Sequence, residues 1–155
     1  MRKRRQPPPI AALAASVALA ACATSSPPPA ADVGTPSIRA EELVGGWGFA
    51  VFYNPADRAR IETAARQQCG KPFMIGRGPH GGIMMYAAGE AQPQEMVVKA
   101  GAGGKQYIGP TGEPGGAEDS EIVSYDGRVL LLRDLGADQS GRARFSVFVR
   151  CAPKA

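Results

Sequence analysis

The chain is a succession of short apolar runs separated by glycine, proline and small polar residues. In "WGFAVFY", Trp47, Phe49, Val51 and Tyr53 recur at every second position, which puts them on one face of a strand. Further strands are expected at Phe73–Gly76, Ile83–Ala88, Glu95–Ala100, Lys105–Gly109, Glu121–Tyr125, Val129–Arg133 and Arg144–Cys151. Asp126-Gly127 is the strongest hairpin signal. The last run sets Phe145, Val147, Val149 and Cys151 against Arg144, Ser146, Phe148 and Arg150, so one side should meet the core and the other be partly wet. About eight short strands with glycine-rich connections predict a mainly β fold. It should be a small antiparallel barrel, or failing that a two-sheet sandwich. A closed barrel would protect its edges from pairing with other chains.

One longer segment changes period. "NPADRARIETAARQQCG" places Ile61, Ala64 and Ala65 in a narrow stripe, with Arg58, Glu62 and Arg66 at successive i,i+4 positions outside it. Asn54 can cap this helix, Pro55 suits its first turn and Gly70 can end it. An α-helix therefore follows the first strand, where it is expected to cap one end of the barrel. A shorter helix fits "SIRAEELVGG", stopping at Gly45-Gly46.

The N-terminus obeys different rules. Four basic residues, Arg2 to Arg5, precede an almost wholly apolar run from Ile10 to Ala21. Basic residues, a short apolar segment and small residues at its end compose an export signal over residues 1–21. At about 18 Å as a helix, the run is too short for the roughly 30 Å hydrocarbon core. Leu19-Ala20-Ala21-Cys22 is similar to the lipobox of bacterial lipoproteins. That resemblance implies a diacylglycerol thioether on Cys22, cleavage before it and acylation of the new amino group, and hence palmitate-like chains in a membrane. Ala23 stands where an aspartate retains enterobacterial lipoproteins in the inner membrane, so the resemblance implies the outer membrane, facing the periplasm. After Cys22, the segment from Ala23 to Ser37 is mainly proline, alanine and serine with a single acid, and 22–37 is the lipidated cysteine with its tether. The segment reads as disordered and spans at most about 50 Å. Residues 38–155 form the single folded domain.

Cleavage alters the charge argument. The whole chain carries 18 basic and 14 acidic residues, and the four basic residues at positions 2–5 leave with the signal. The mature chain is formally neutral, which removes the basis for a nucleic-acid surface. In an exported domain, Cys69 and Cys151 are most simply a disulfide. No C-x-x-C is present to suggest redox exchange.

Gly45-x-Trp47 at the start of the first strand resembles the glycine-x-tryptophan signature of lipocalins. In that family the tryptophan closes one barrel end and an arginine near the chain's end packs across it, and Arg150 is the matching residue here. A disulfide from the C-terminal region to the barrel body is also common there. The short chain and the helix after the first strand depart from the family and argue against a large ligand cavity. The small barrel inhibitors of bacterial alkaline metalloproteases also open with a glycine and tryptophan strand and can be lipid-anchored. Their disulfide joins neighbouring cysteines, unlike Cys69 and Cys151.

Catalytic chemistry has little support. His80, in "GRGPHGG", is the sole histidine, and no G-x-S-x-G surrounds a serine. His80 with Met74, Met84 and Met85 could imitate a copper(I) site, although methionines more often fill core gaps. "KAGAGGKQ" lacks the spacing of a phosphate loop and reads as a turn. Glu118, Asp119 and Glu121 lack an EF-hand spacing and read as an exposed acidic loop.

The expectation is a lipid-anchored cell-envelope lipoprotein with a non-catalytic domain, no cofactor and no bound metal. Its domain would hold an apolar ligand in the barrel mouth or present loops to an envelope protein. The alternatives are an inhibitor of a secreted protease or a periplasmic metal-binding protein. A connected cavity of a few hundred Å³ would favour a ligand, and a filled interior with an exposed apolar patch would favour a protein partner.

Overall fold

A computed structural model describes residues 37–87, 89–136 and 141–152. The export signal, Cys22, the tether before residue 37 and Ala88 lie outside the described residues. The chain runs α1 (Ala40–Leu43), β1 (Gly45–Phe52), α2 (Arg58–Gln67), β2 (Phe73–Arg77), β3 (Ile83–Tyr86), β4 (Pro93–Ala100), β5 (Gln106–Gly109), β6 (Ser120–Tyr125), β7 (Val129–Asp134) and β8 (Phe145–Arg150). Each strand pairs antiparallel with its sequence neighbours, and β8 returns to β1, which closes an up-and-down barrel.

The expected long helix forms in three pieces. A 3-10 turn over Pro55–Asp57 precedes α2, and another over Gln68–Gly70 follows it. Asn54 caps the first turn by accepting from the Ala56 amide at 3.1 Å. The helix does not cap a barrel end. It lies against the outer wall of β1, β7 and β8, where Ile61 and Ala65 cover Ala50, Phe52, Val129, Leu131, Val147 and Val149. Gly48 makes the approach close, because a Cβ there would stand 2.8 Å from the Ala65 carbonyl carbon. Those outward positions are apolar, and leaving them in water would forfeit the burial that drives folding. The cover explains why Val129–Leu132 is a continuous apolar run and why both faces of β8 are buried rather than one. The disulfide between Cys69 and Cys151 fastens the helix end to the end of β8.

The second core faces the interior. Trp47, Ile75, Ile83, Met85, Met96, Ile108, Leu130, Leu132 and Phe148 point inward from seven of the eight strands. Following the strand registers once around returns to β1 displaced by roughly a dozen residues. Eight strands with a displacement of about eight enclose a packed core. The greater stagger here tilts the strands further and widens the barrel at the same strand number.

Candidate functional site

The two barrel ends differ. At the end where β1 begins and β8 finishes, the interior is plugged. Trp47 is fully buried and its indole N–H donates to the Leu43 carbonyl at 2.8 Å. The half-buried Arg150 guanidinium lies over the indole, 4.1 Å from the ring centroid, in a cation–π contact. Its N–H groups donate to the carbonyls of Gly127 at 2.8 Å and Val44 at 3.2 Å, and to that of Glu42. The Tyr125 hydroxyl also donates to the Glu42 carbonyl at 3.0 Å. The open carbonyls of α1 and its flank are thus satisfied by side chains from the barrel, which holds the short helix across the opening.

The opposite end is open. A cavity of about 1010 Å³ runs from the barrel floor to a mouth formed by the connections after β1, β3, β5 and β7. The short chain and the helix after β1 put a large cavity in doubt, and the stagger of the strands supplies it nonetheless. Chain length limits loops and appended helices, but the width of the barrel follows from strand number and register. Phe49, Phe73 and Phe148 cluster on one side in tilted and edge-on contacts, with ring centroids 4.8 to 5.4 Å apart. Tyr86 meets Phe73 edge-on at 6.2 Å. Met85, Met96, Ile108 and Leu132 complete the apolar wall.

Polar groups gather towards the mouth. The Ser120 hydroxyl donates to Asp134 Oδ1 at 2.8 Å, and Arg144 reaches Asp134 Oδ2 at 3.3 Å. Glu90 and Glu118 also line the opening. Asp119 is not the exposed acid the sequence suggests; it is 2% exposed. Lys99 Nζ pairs with its Oδ1 at 2.6 Å and donates to the carbonyls of Pro110 and Glu113. The amides of Gly115 and Gly116 donate to Asp119 Oδ2. A buried carboxylate needs such complete pairing, and the pair ties the 110–119 loop to the rim. Glu121 lies elsewhere, on the outer barrel face with Arg133 and Lys105.

The other sequence candidates do not converge on the cavity. His80 is exposed in the loop between β2 and β3, where its Nδ1 meets Glu95 Oε2 at 2.7 Å. Glu95 Oε1 accepts from the amides of His80 and Gly82. Burial would raise the Glu95 carboxyl, but these hydrogen bonds from His80 and Gly82 outweigh it and hold the group below its ordinary value. Met85 faces the cavity, whereas Met84, next along the strand, and the exposed Met74 face outward. The three thioethers therefore do not meet. Among the described residues no cluster of three His, Cys, Asp or Glu side chains could hold a metal ion.

Two features escaped the sequence reading. The Lys99–Asp119 pair joins β4 to a loop ten residues beyond β5, with no spacing signature. Ser146, buried in the cavity wall, carries one signal: a small polar residue on the face of β8 that also bears Phe148.

These features define a closed eight-stranded antiparallel barrel with one plugged pole, one open pole and a largely apolar interior. Comparison with known proteins finds no matching family model, no matching curated protein and no matching solved structure.

Proposed function

We propose that this protein is a lipid-anchored lipoprotein of the bacterial cell envelope whose barrel is a non-catalytic carrier or receptor for an apolar or amphipathic small molecule. The observation that carries the reading is the cavity of about 1010 Å³, open at one end and walled by aromatic and aliphatic side chains. Drug-sized ligands occupy cavities of roughly 300–1,000 Å³. A module built only to dock proteins has no need of such a space. The Trp47–Arg150 pair across the closed end supports the lipocalin-like reading. Attachment rests on Leu19-Ala20-Ala21-Cys22, and the outer-membrane address on Ala23.

The binding test uses the full chain carrying Cys22→Ser, so that no acyl group of its own competes for the cavity. Titration with N-phenylnaphthylamine should give a saturable rise in probe emission. Energy transfer from Trp47, the sole tryptophan, should accompany it. No saturable signal would refute ligand binding. Anchoring is tested separately by acyl incorporation and fractionation, both of which Cys22→Ser should abolish. A variant still acylated and membrane-bound would refute it.

A further inference from the structure

Ser146 is the one uncharged polar side chain among the buried residues described. It is 6% exposed and lines the cavity. Its neighbours across the ladder are Val51 on β1 and Leu132 on β7, both facing the same interior, and Phe148 lies two residues further along the same face. No hydrogen bond of its hydroxyl is formed within the described residues, and Arg133 Nε, not Ser146 Oγ, is the sealed side-chain atom without a partner there, so the hydroxyl opens onto the cavity. Asp119, the other buried polar residue, is satisfied on every side. A hydroxyl that opens onto a cavity takes its partner from the cavity's contents, water when the cavity is empty and a ligand when it is filled.

Resting on the reading of the cavity as a ligand site, we infer that Ser146 is the polar anchor of the bound molecule. We infer further that the molecule is an uncharged amphiphile, a long apolar body bearing a hydroxyl or ester oxygen. The charge pattern selects against ionised head groups. Arg144 is the one cation among the described lining residues, and Asp134 already holds it. Glu90 and Glu118 face the same mouth, so a carboxylate head meets more repulsion than attraction there. An ammonium head is drawn to these acids at the rim, but it leaves the serine unpaired. An ionised group pushed down to Ser146 would sit among Val51, Leu132 and Phe148, where desolvation opposes it. A hydroxyl or carbonyl oxygen meets the serine without that penalty, while the aromatic wall takes the chain.

The test is displacement of N-phenylnaphthylamine from the full chain carrying Cys22→Ser. The competitors share one tail length: dodecanol, dodecanoate, dodecylamine and dodecane. Dodecanol should compete best. Adding Ser146→Ala should weaken dodecanol about five- to tenfold, as expected for one neutral hydrogen bond, and leave dodecane unchanged. An unchanged melting curve, followed by circular dichroism, serves as the folding control for the serine variant. Equal competition by dodecanol with and without Ser146→Ala would overturn the inference, as would a preference for dodecanoate or dodecylamine. In both cases probe binding leaves the cavity reading standing. Failure of the Ser146-containing protein to take up probe would overturn both.

Discussion

Gly48→Ala tests how closely α2 sits on the barrel. The added Cβ would lie 2.8 Å from the Ala65 carbonyl carbon, nearer still to its oxygen, and 3.4 Å from the Arg66 amide nitrogen. Ordinary carbon contacts begin near 3.5 Å, so this turn of the helix must withdraw by roughly 1 Å. The obstacle is backbone, and no rotamer change relieves it. Withdrawal is also restrained, because Cys69, four residues beyond Ala65, is bonded to Cys151. Ala65 is fully buried against Phe52, Val147 and Val149, so lifting it loosens the whole outer core. Overpacking of this kind costs about 3 kcal/mol, the upper part of the usual range. For a domain of this size that lowers the melting temperature by roughly 10 °C. The matched control is Gly116→Ala, where no heavy atom lies within 4 Å of the new methyl. It should change stability by less than about 0.5 kcal/mol. Thermal denaturation followed by circular dichroism compares the two. If the Gly48 variant melts with the unmodified chain, the helix does not rest on β1 as described.

Replacing both Cys69 and Cys151 with alanine opens a loop of 82 residues and should lower stability by about 4.5 kcal/mol in the chain-entropy account; an unchanged urea midpoint would contradict this. Lys99→Met leaves the Asp119 charge buried and unpaired and should destabilise by about 3 kcal/mol, with partial recovery when Asp119→Asn is added; additive losses in that double-mutant cycle would refute the pairing. The depressed Glu95 carboxyl gives a pH signature. Its stabilisation is fully present above the unfolded value near 4.5 and is lost as pH falls through the lower folded value. Melting curves of the unmodified chain and Glu95→Gln should therefore differ at neutral pH and converge on acidification, whereas a constant gap would refute the link.

Much of the barrel is legible in the residues because strands announce themselves by alternation and turns. Trp47, Phe49 and Val51 face inward as their spacing implies, and Asp126 organises its turn by accepting from the amides of Arg128 and Val129. The boundaries differ by a residue or two, as at β8, where Arg144 and Cys151 lie just outside the strand. Long-range placement leaves fainter traces in the residues. Gly48 and the unbroken Val129–Leu132 run are local traces of a covered outer wall, but nothing local says that α2 supplies the cover. Cavity size depends on register accumulated over eight pairings, a quantity no single segment contains. Ser146 reads as an ordinary strand residue until its neighbours Val51 and Leu132, distant in sequence, surround it.

The described chain both begins and finishes at the plugged pole. The Ser37 hydroxyl accepts from Gln106 at the start of β5, while the Cys151 amide donates to the Gly46 carbonyl. The barrel is thus a bowl whose two stems leave from its base. A fusion, a resin or a surface attached through either stem leaves the rim clear, so traffic through the opening and mechanical load on the chain act at opposite poles. Pulling on the N-terminal stem loads the Ser37 and Ile38 contacts to Gln106 and then the Trp47–Arg150 clasp, all at the plugged pole.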